Sequence, residues 1–525
     1  MPELENNEAL SFGDALFLYL ERQGMPLHIA SVSVFEGEVE VEAFAPFIES
    51  KLPLVPRYRQ RVVTPPLNLG LPVWSYDPHF DLRNHIHQVT LKKGSSAEFK
   101  AMAGLILSET MDRQRPLWDL TLVRGLQGNR TGLITRIHHC LADGLAGIGL
   151  MNALMDASPV PPRSSRRSRP LPALPISEPP SLLDSLIRSS FSAVQQVLAA
   201  HSELLTFAQR LVTTNGKQDE YAGAGSTLSP DAQPVPSFMD ELSRLLPEVA
   251  APARRLPFNV ICRGPQKFHW TEIPLAEIKA VKQACGTTVN DVALATMTLA
   301  VRRYAELHGV PLQGRTLRIV VPVSVRGKEG VEELGNRITF LPVSIPLDLP
   351  GPKPLIAAVS ETMALLKGAH LAEFVGFAGS LLGAIPTALQ ALLGPITSQL
   401  PLSLCNLIFT NVRGPETPLY LLGHKMVACY PYVPIGGEMG MNCAVLTYDG
   451  TAYFGFTGDV HAVPDLKCFE KLLVQSFAEL RKLALPVPRK KRRSPKKVAV
   501  EPASPAPTAE SAVPPKPVAN VVAVA

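Results

Sequence analysis

The residue pattern predicts an α/β (α+β) protein of two mixed halves. Three observations predict it. Short alternating apolar runs recur between longer runs with helical spacing, first along residues 1–157 and again along 256–488. A segment with eight prolines and four arginines, residues 158–180, interrupts the chain between them. At 525 residues and 46% hydrophobic side chains, the chain is long and apolar enough for more than one core.

In the first half, residues 9–24 predict a helix. Ser11 stands at its N-cap with Asp14 three residues on, and Gly24 is placed to stop it. His28–Phe35 alternates as a strand, and residues 41–52 read as helix. Val73–Tyr76 and Ile86–Leu91 are short strands, and 97–111 is a helix. Trp118–Arg124 and Gly132–His138 are strands, and Gly147–Asp156 returns to helix. Residues 158–255 form a connecting region. Its Pro/Arg-rich start leads to an amphipathic helix carrying Leu183, Ile187, Phe191, Val194, Leu198 and Leu205, then to a loose stretch at 214–236.

In the second half, Phe268–Ile273, Leu317–Val325, 338–346 and 404–411 predict strands, and Asn290–Leu307 and 356–372 predict helices. Strands at 427–433, 442–448 and 452–458 follow, the last two joined at Asp449-Gly450, and 465–482 is the closing helix. Phe374–Ser403 carries no charge. Its prolines and glycines divide it into pieces too short to cross a bilayer. They fit core helices, an acyl pocket or a membrane interface.

Charge narrows the function. The net +5 comes from the tail, 489–525, which opens Arg-Lys-Lys-Arg-Arg-Ser-Pro-Lys-Lys and is expected to be disordered. Without it, 43 basic and 44 acidic side chains remain, so no nucleic-acid groove is expected. The seven cysteines are odd in number and form no C-x-x-C pair. With the acidic start Met1–Glu8, which is unlike a signal peptide, this points to a reducing cytoplasm.

The chemistry is concentrated in Ile137-His138-His139-Cys140-Leu141-Ala142-Asp143-Gly144. An apolar strand ends in two histidines and an Asp-Gly turn follows. Strand alternation directs the two imidazoles to opposite sides, so one can enter a channel while the other packs away. A neutral imidazole beside an alcohol can take its proton during attack on a thioester, worth about 10²–10⁴ in rate. Taken alone, the pair also fits core histidines or metal ligands. No nearby Glu or Cys completes a ligand set, so no metal is expected.

These residues resemble the bacterial wax ester synthase/acyl-CoA:diacylglycerol acyltransferases, whose H-H-x-x-x-D-G signature is met in full by residues 138–144. Further blocks agree in order: Pro116-Leu117-Trp118, Asn290-Asp291, and Asn411-Val412-Arg413-Gly414-Pro415. The resemblance covers residues 9–482. It implies two chloramphenicol-acetyltransferase-like halves with a substrate channel between them.

It also implies roles. His139 is the general base and His138 supports it. Asp143 holds the loop, with Arg326 as candidate partner. Asn290, Asp291 and Gly144 are candidate substrate contacts, Asn290 also for the forming oxyanion. The same block fits a helix cap equally well. Trp118, Asn411, Gly414 and Pro415 are candidate structural residues. Acyl-CoA is implied as substrate with no bound cofactor. The acceptor is diacylglycerol or a long-chain alcohol, and peripheral contact with the inner membrane or lipid droplets is expected. Two alternatives stay open at this level: a carrier-dependent acyltransferase of the same architecture, and a non-catalytic lipid-binding protein.

Overall fold

The first helix, α1 (Phe12–Leu20), starts where Ser11 accepts from the Asp14 N–H at 3.0 Å and returns its own hydroxyl to the Asp14 carboxylate at 2.7 Å. It ends at Leu20 and does not reach Gly24. Glu21 leaves the helix in an extended conformation, its carboxylate taken by the Leu27 N–H, Arg113 and His138. This computed structural model describes residues 8–160, 252–324, 338–368, 385, 387–397 and 404–484. The expected amphipathic helix around 183–205, Arg326 and the basic tail lie outside the described residues.

The first half continues with β1 (His28–Glu36), α2 (Val41–Lys51), β2 (Gln60–Val63), β3 (Val73–Tyr76), β4 (Ile86–Thr90), α3 (Ser96–Leu107), β5 (Trp118–Leu126), β6 (Arg130–His138) and α4 (Gly144–Leu154). The second has β7 (Gln266–Pro274), α5 (Leu275–Cys285), α6 (Val289–Leu307), β8 (Thr316–Ser324), β9 (Ile338–Pro346), α7 (Pro352–Gly368), α8 (Thr387–Thr397), β10 (Leu407–Arg413), β11 (Tyr420–Leu421), β12 (His424–Tyr432), β13 (Met441–Tyr448), β14 (Thr451–Asp459) and α9 (Lys467–Arg481). Each half is mixed, as the pattern predicts. The strands at 60–63 and 420–421 and the helix α5 are additions to that reading, and α8 is one of the short pieces expected within Phe374–Ser403.

Two six-stranded sheets organise these elements. The first has the order β11-β12-β1-β6-β5-β4, the second β7-β14-β13-β10-β8-β9, and β2 and β3 form a small hairpin sheet. The first sheet thus takes two strands, Tyr420–Leu421 and His424–Tyr432, from the C-terminal part of the chain. A division at residue 256 follows the sequence but not the sheets. In the second sheet, β10 runs parallel to both β8 and β13.

Each sheet closes its own apolar core. In the first, Val32, Leu120, Leu122, Leu133 and Ile134 pack with Phe99 and Leu107 of α3. In the second, α6 is buried almost all round, from Asp291 to Val301, which marks a core helix. It starts with a capping box: Thr288 Oγ1 accepts from the Asp291 N–H at 3.2 Å and the Asp291 carboxylate from the Thr288 N–H at 3.0 Å.

The sheets meet where β12 passes β14. A Cβ at Gly455 would lie 1.9 Å from the Pro431 carbonyl oxygen, so only glycine permits that approach. Tyr453 donates to the Val427 carbonyl at 2.9 Å and Tyr432 to the Gln266 amide oxygen at 2.7 Å.

Candidate active site

β6 pairs with β1 in unbroken register from Glu36↔Arg130 to His28↔His138. The corner after it follows from three backbone hydrogen bonds. The His138 N–H donates to Leu117 at 2.9 Å, the His139 N–H to Leu27 at 2.9 Å, and the Leu141 N–H back to His138 at 2.9 Å. The Pro116-Leu117-Trp118 block therefore leads into the adjoining strand β5 and holds the first of the paired histidines through the Leu117 carbonyl. Asp143 then caps α4, accepting from the Ala146 N–H at 2.9 Å, and is fully buried.

Alternation separates the histidines. His138 is fully buried. Its Nδ1 accepts from the Cys140 N–H at 3.1 Å, which leaves the proton on Nε2, 3.4 Å from Glu21 Oε1. Burial alone would raise the Glu21 carboxyl. Its contact with His138 outweighs this, with help from the Leu27 N–H and Arg113. Together they bring it from 4.5 down to about 2. His139 faces the other way. Its ring stacks on Phe17 with centroids 4.0 Å apart and planes 4° from parallel, and it lines a cavity of about 680 Å³.

Walls from both sheets form this cavity: Ile29, Ala30 and Ile137 from the first, Thr410, Asn411 and Leu446 from the second. The lining is mainly apolar. Burial pushes its two thiols, Cys405 and Cys429, up to about 11, so neither is a thiolate nucleophile at neutral pH. The cavity's one described carboxylate, Glu438, is buried and ion-paired with Arg255. Among the described residues, no three His, Cys, Asp or Glu side chains stand together as a metal set.

The remaining sequence candidates divide. Gly144 lines the cavity, where a Cβ would press on Val412 at 3.2 Å. Asn290 and Asp291 do not line it. Asp291 is buried as the second half of the capping box and also meets Ser360. Asn290 accepts from the Asn411 amide at 3.2 Å, and Asn411 is the one of the two that reaches the cavity. The strand β10 runs to Arg413, so Asn411 is a strand residue and not part of a turn. Gly414 comes next, its N–H bonded to the Thr447 carbonyl at 2.9 Å, with no room for a Cβ. Pro415 accepts from the Asp449 N–H at 3.2 Å. Trp118 is a core anchor: it stacks on Tyr58 and His85 at 4.3 and 4.5 Å, and its indole N–H donates to the Tyr58 carbonyl at 2.8 Å.

Sequence reasoning overlooked Phe17, Glu21 and Glu438. The first two sit in an ordinary amphipathic helix and its exit. The last sits in a Gly436-Gly437-Glu438-Met439-Gly440 run, whose glycine density signals only an unusual backbone path.

Comparison with known proteins shows the family and the fold. Residues 10–293 match the wax ester synthase/diacylglycerol acyltransferase catalytic domain, and 334–481 match the C-terminal domain of the same family. A probable diacylglycerol O-acyltransferase of Mycobacterium tuberculosis is 26% identical over 457 residues, covering 86% of this chain and 91% of the relative. A second from that organism is 27% identical over 476 residues, covering 89% and 97%. Among solved structures, the wax ester synthase/diacylglycerol acyltransferase of Marinobacter aquaeolei shares the fold with a TM-score of 0.60 at 24% identity, covering 91% of this chain and all of that one. The first condensation domain of the calcium-dependent antibiotic synthetase also shares it, with a TM-score of 0.57 at 15% identity, covering 91% and 97%. This chain belongs to the wax ester synthase/diacylglycerol acyltransferase family and is an acyltransferase acting on lipids.

Proposed function

We propose that the protein transfers a long-chain fatty acyl group from acyl-CoA to the hydroxyl of diacylglycerol or a long-chain alcohol, with His139 as general base. The observation that carries this reading is the imidazole of His139, which faces a large, mainly apolar cavity between two sheets. His139 takes the hydroxyl proton as the oxygen attacks the thioester carbonyl. The tetrahedral oxyanion collapses, the C–S bond breaks, and the leaving thiolate takes the proton back from the imidazolium. The ester and free coenzyme A are the products, and no acyl-enzyme forms.

The surroundings support each step. Stacking on Phe17 fixes the ring plane of His139. The corner from His138 to the Asp143 cap fixes its backbone. The Asn411 amide, braced by Asn290, supplies a polar group in the wall opposite the histidine's sheet, suited to the carbonyl oxygen or its developing charge. His138, engaged by Cys140 and Glu21, supports the corner and is not placed in the cavity. Acceptors of this kind reside in lipid, so the enzyme works at a membrane or droplet surface.

The test is a product profile. Purified protein given palmitoyl-CoA with hexadecanol and diolein together should release thiol and form wax ester, triacylglycerol or both. Thiol release with water as the only acceptor would make the protein a thioesterase. No release with either lipid present would remove the reading.

A further inference from the structure

Helix α8 wears its apolar side outward. Leu389, Leu392, Leu393 and Ile396 recur at i, i+3, i+4 and i+7, one stripe of a helix, and are 39–64% exposed. The inward side carries Gln390, 8% exposed, and Gly394, where a Cβ would lie 2.7 Å from the Tyr19 carbonyl oxygen. An ordinary surface helix has the reverse arrangement. Thr387 fastens the helix start to the neighbouring turn: its hydroxyl donates to the Asn68 carbonyl at 2.8 Å and accepts from the Gly70 N–H at 3.0 Å. In that turn Leu67 is 77% exposed. The helix therefore rests on α1, whose Leu16, Phe17 and Leu20 line the cavity and whose Phe17 stacks on His139.

We propose that this stripe, with Leu67, is the lipid-docking surface of the enzyme, seated at the boundary between headgroups and acyl chains of the membrane or droplet that holds the acceptor. An 11-residue helix is too short to span the ~30 Å hydrocarbon core, so it lies in the interface. The helix itself, Thr387–Thr397, contains no charge to oppose insertion. Four side chains on one short helix fall well below the ~800 Å² per partner of a stable protein interface, which disfavours a second copy as occupant. The docked face thus adjoins α1, the helix that supplies Leu16, Phe17 and Leu20 to the cavity wall.

The inference rests on the acyltransferase reading for its purpose, and its test separates the two. Full-length protein is floated with phosphatidylcholine vesicles carrying diolein. These are uncharged overall, so the basic tail gains little from them. The variant Leu389→Gln, Leu392→Gln, Leu393→Gln, Ile396→Gln should lose vesicle binding about tenfold or more, and turnover of vesicle-borne diolein with it. Its melting temperature and its turnover of a water-dispersed short-chain alcohol should match wild type. Leu392→Glu alone, at the most exposed position of the stripe, should act in the same direction. His139→Ala should float like wild type, so loss of chemistry and loss of docking are read independently. Unchanged flotation of the fourfold variant overturns the proposal. So does a wild-type protein that does not float but changes from dimer to monomer on substitution, which would assign the face to a second copy.

Discussion

At the scale of single residues, the site holds two histidines that neighbour each other in sequence and stand in different surroundings. His139 faces the cavity, while His138 is tied to Cys140 and the Glu21 carboxylate. Glu21, held at about 2, stabilises the folded corner. Its value is depressed relative to 4.5, so its contribution is fully present above pH 4.5 and is lost as pH falls toward 2. Glu21→Gln should cost on the order of 2 kcal/mol at pH 7 by urea denaturation. The gap to wild type should narrow as pH falls through that window; a gap independent of pH would contradict the assignment. The separation of the two rings was readable in the sequence, because alternation along a strand is local. The partner of His138 was not, because Glu21 reaches it only once α1 has packed beside β6.

At the scale of elements, Asp143 shows how one side chain can suit two explanations. In the structure it caps α4, while the resemblance assigns it to a loop-holding pair with Arg326. Loss of the cap in Asp143→Ala should cost about 1 kcal/mol, lowering melting temperature and turnover together. Asp143→Asn separates the explanations, since it keeps a capping acceptor and removes the charge. Recovery of both readouts points to the cap, and persistent loss points to an ion pair. The Asn290-Asp291 block posed a similar choice. Caps and site residues draw on the same polar types, so residue identity did not decide between them. The fold gave Asp291 to the capping box and Asn411, not Asn290, to the cavity.

At the scale of the molecule, the two mixed halves were legible because strand and helix periods differ and a proline-rich break divides them. The exchange of Tyr420–Tyr432 into the first sheet was not, because a strand's pattern carries its faces but not its neighbours. That exchange sets β12 across β14 and builds the cavity between the sheets, with Gly455 at the contact and Pro431 in the lining. Gly455→Ala should destabilise by about 1–3 kcal/mol in thermal or urea unfolding, because the new methyl meets backbone that cannot rotate away. It should also slow turnover, by shifting a cavity wall. Wild-type stability in this variant would mean that the sheets are not in contact there.

The central claim is that one imidazole in this cavity removes the acceptor's proton. The most direct measurement compares the rate of coenzyme A thiol release from palmitoyl-CoA by wild type and by His139→Ala, with lipid acceptor present and melting temperature recorded alongside. The expected result is a fall of about 10²–10⁴ in rate with the melting temperature essentially unchanged. Undiminished ester formation by the folded variant would contradict the account.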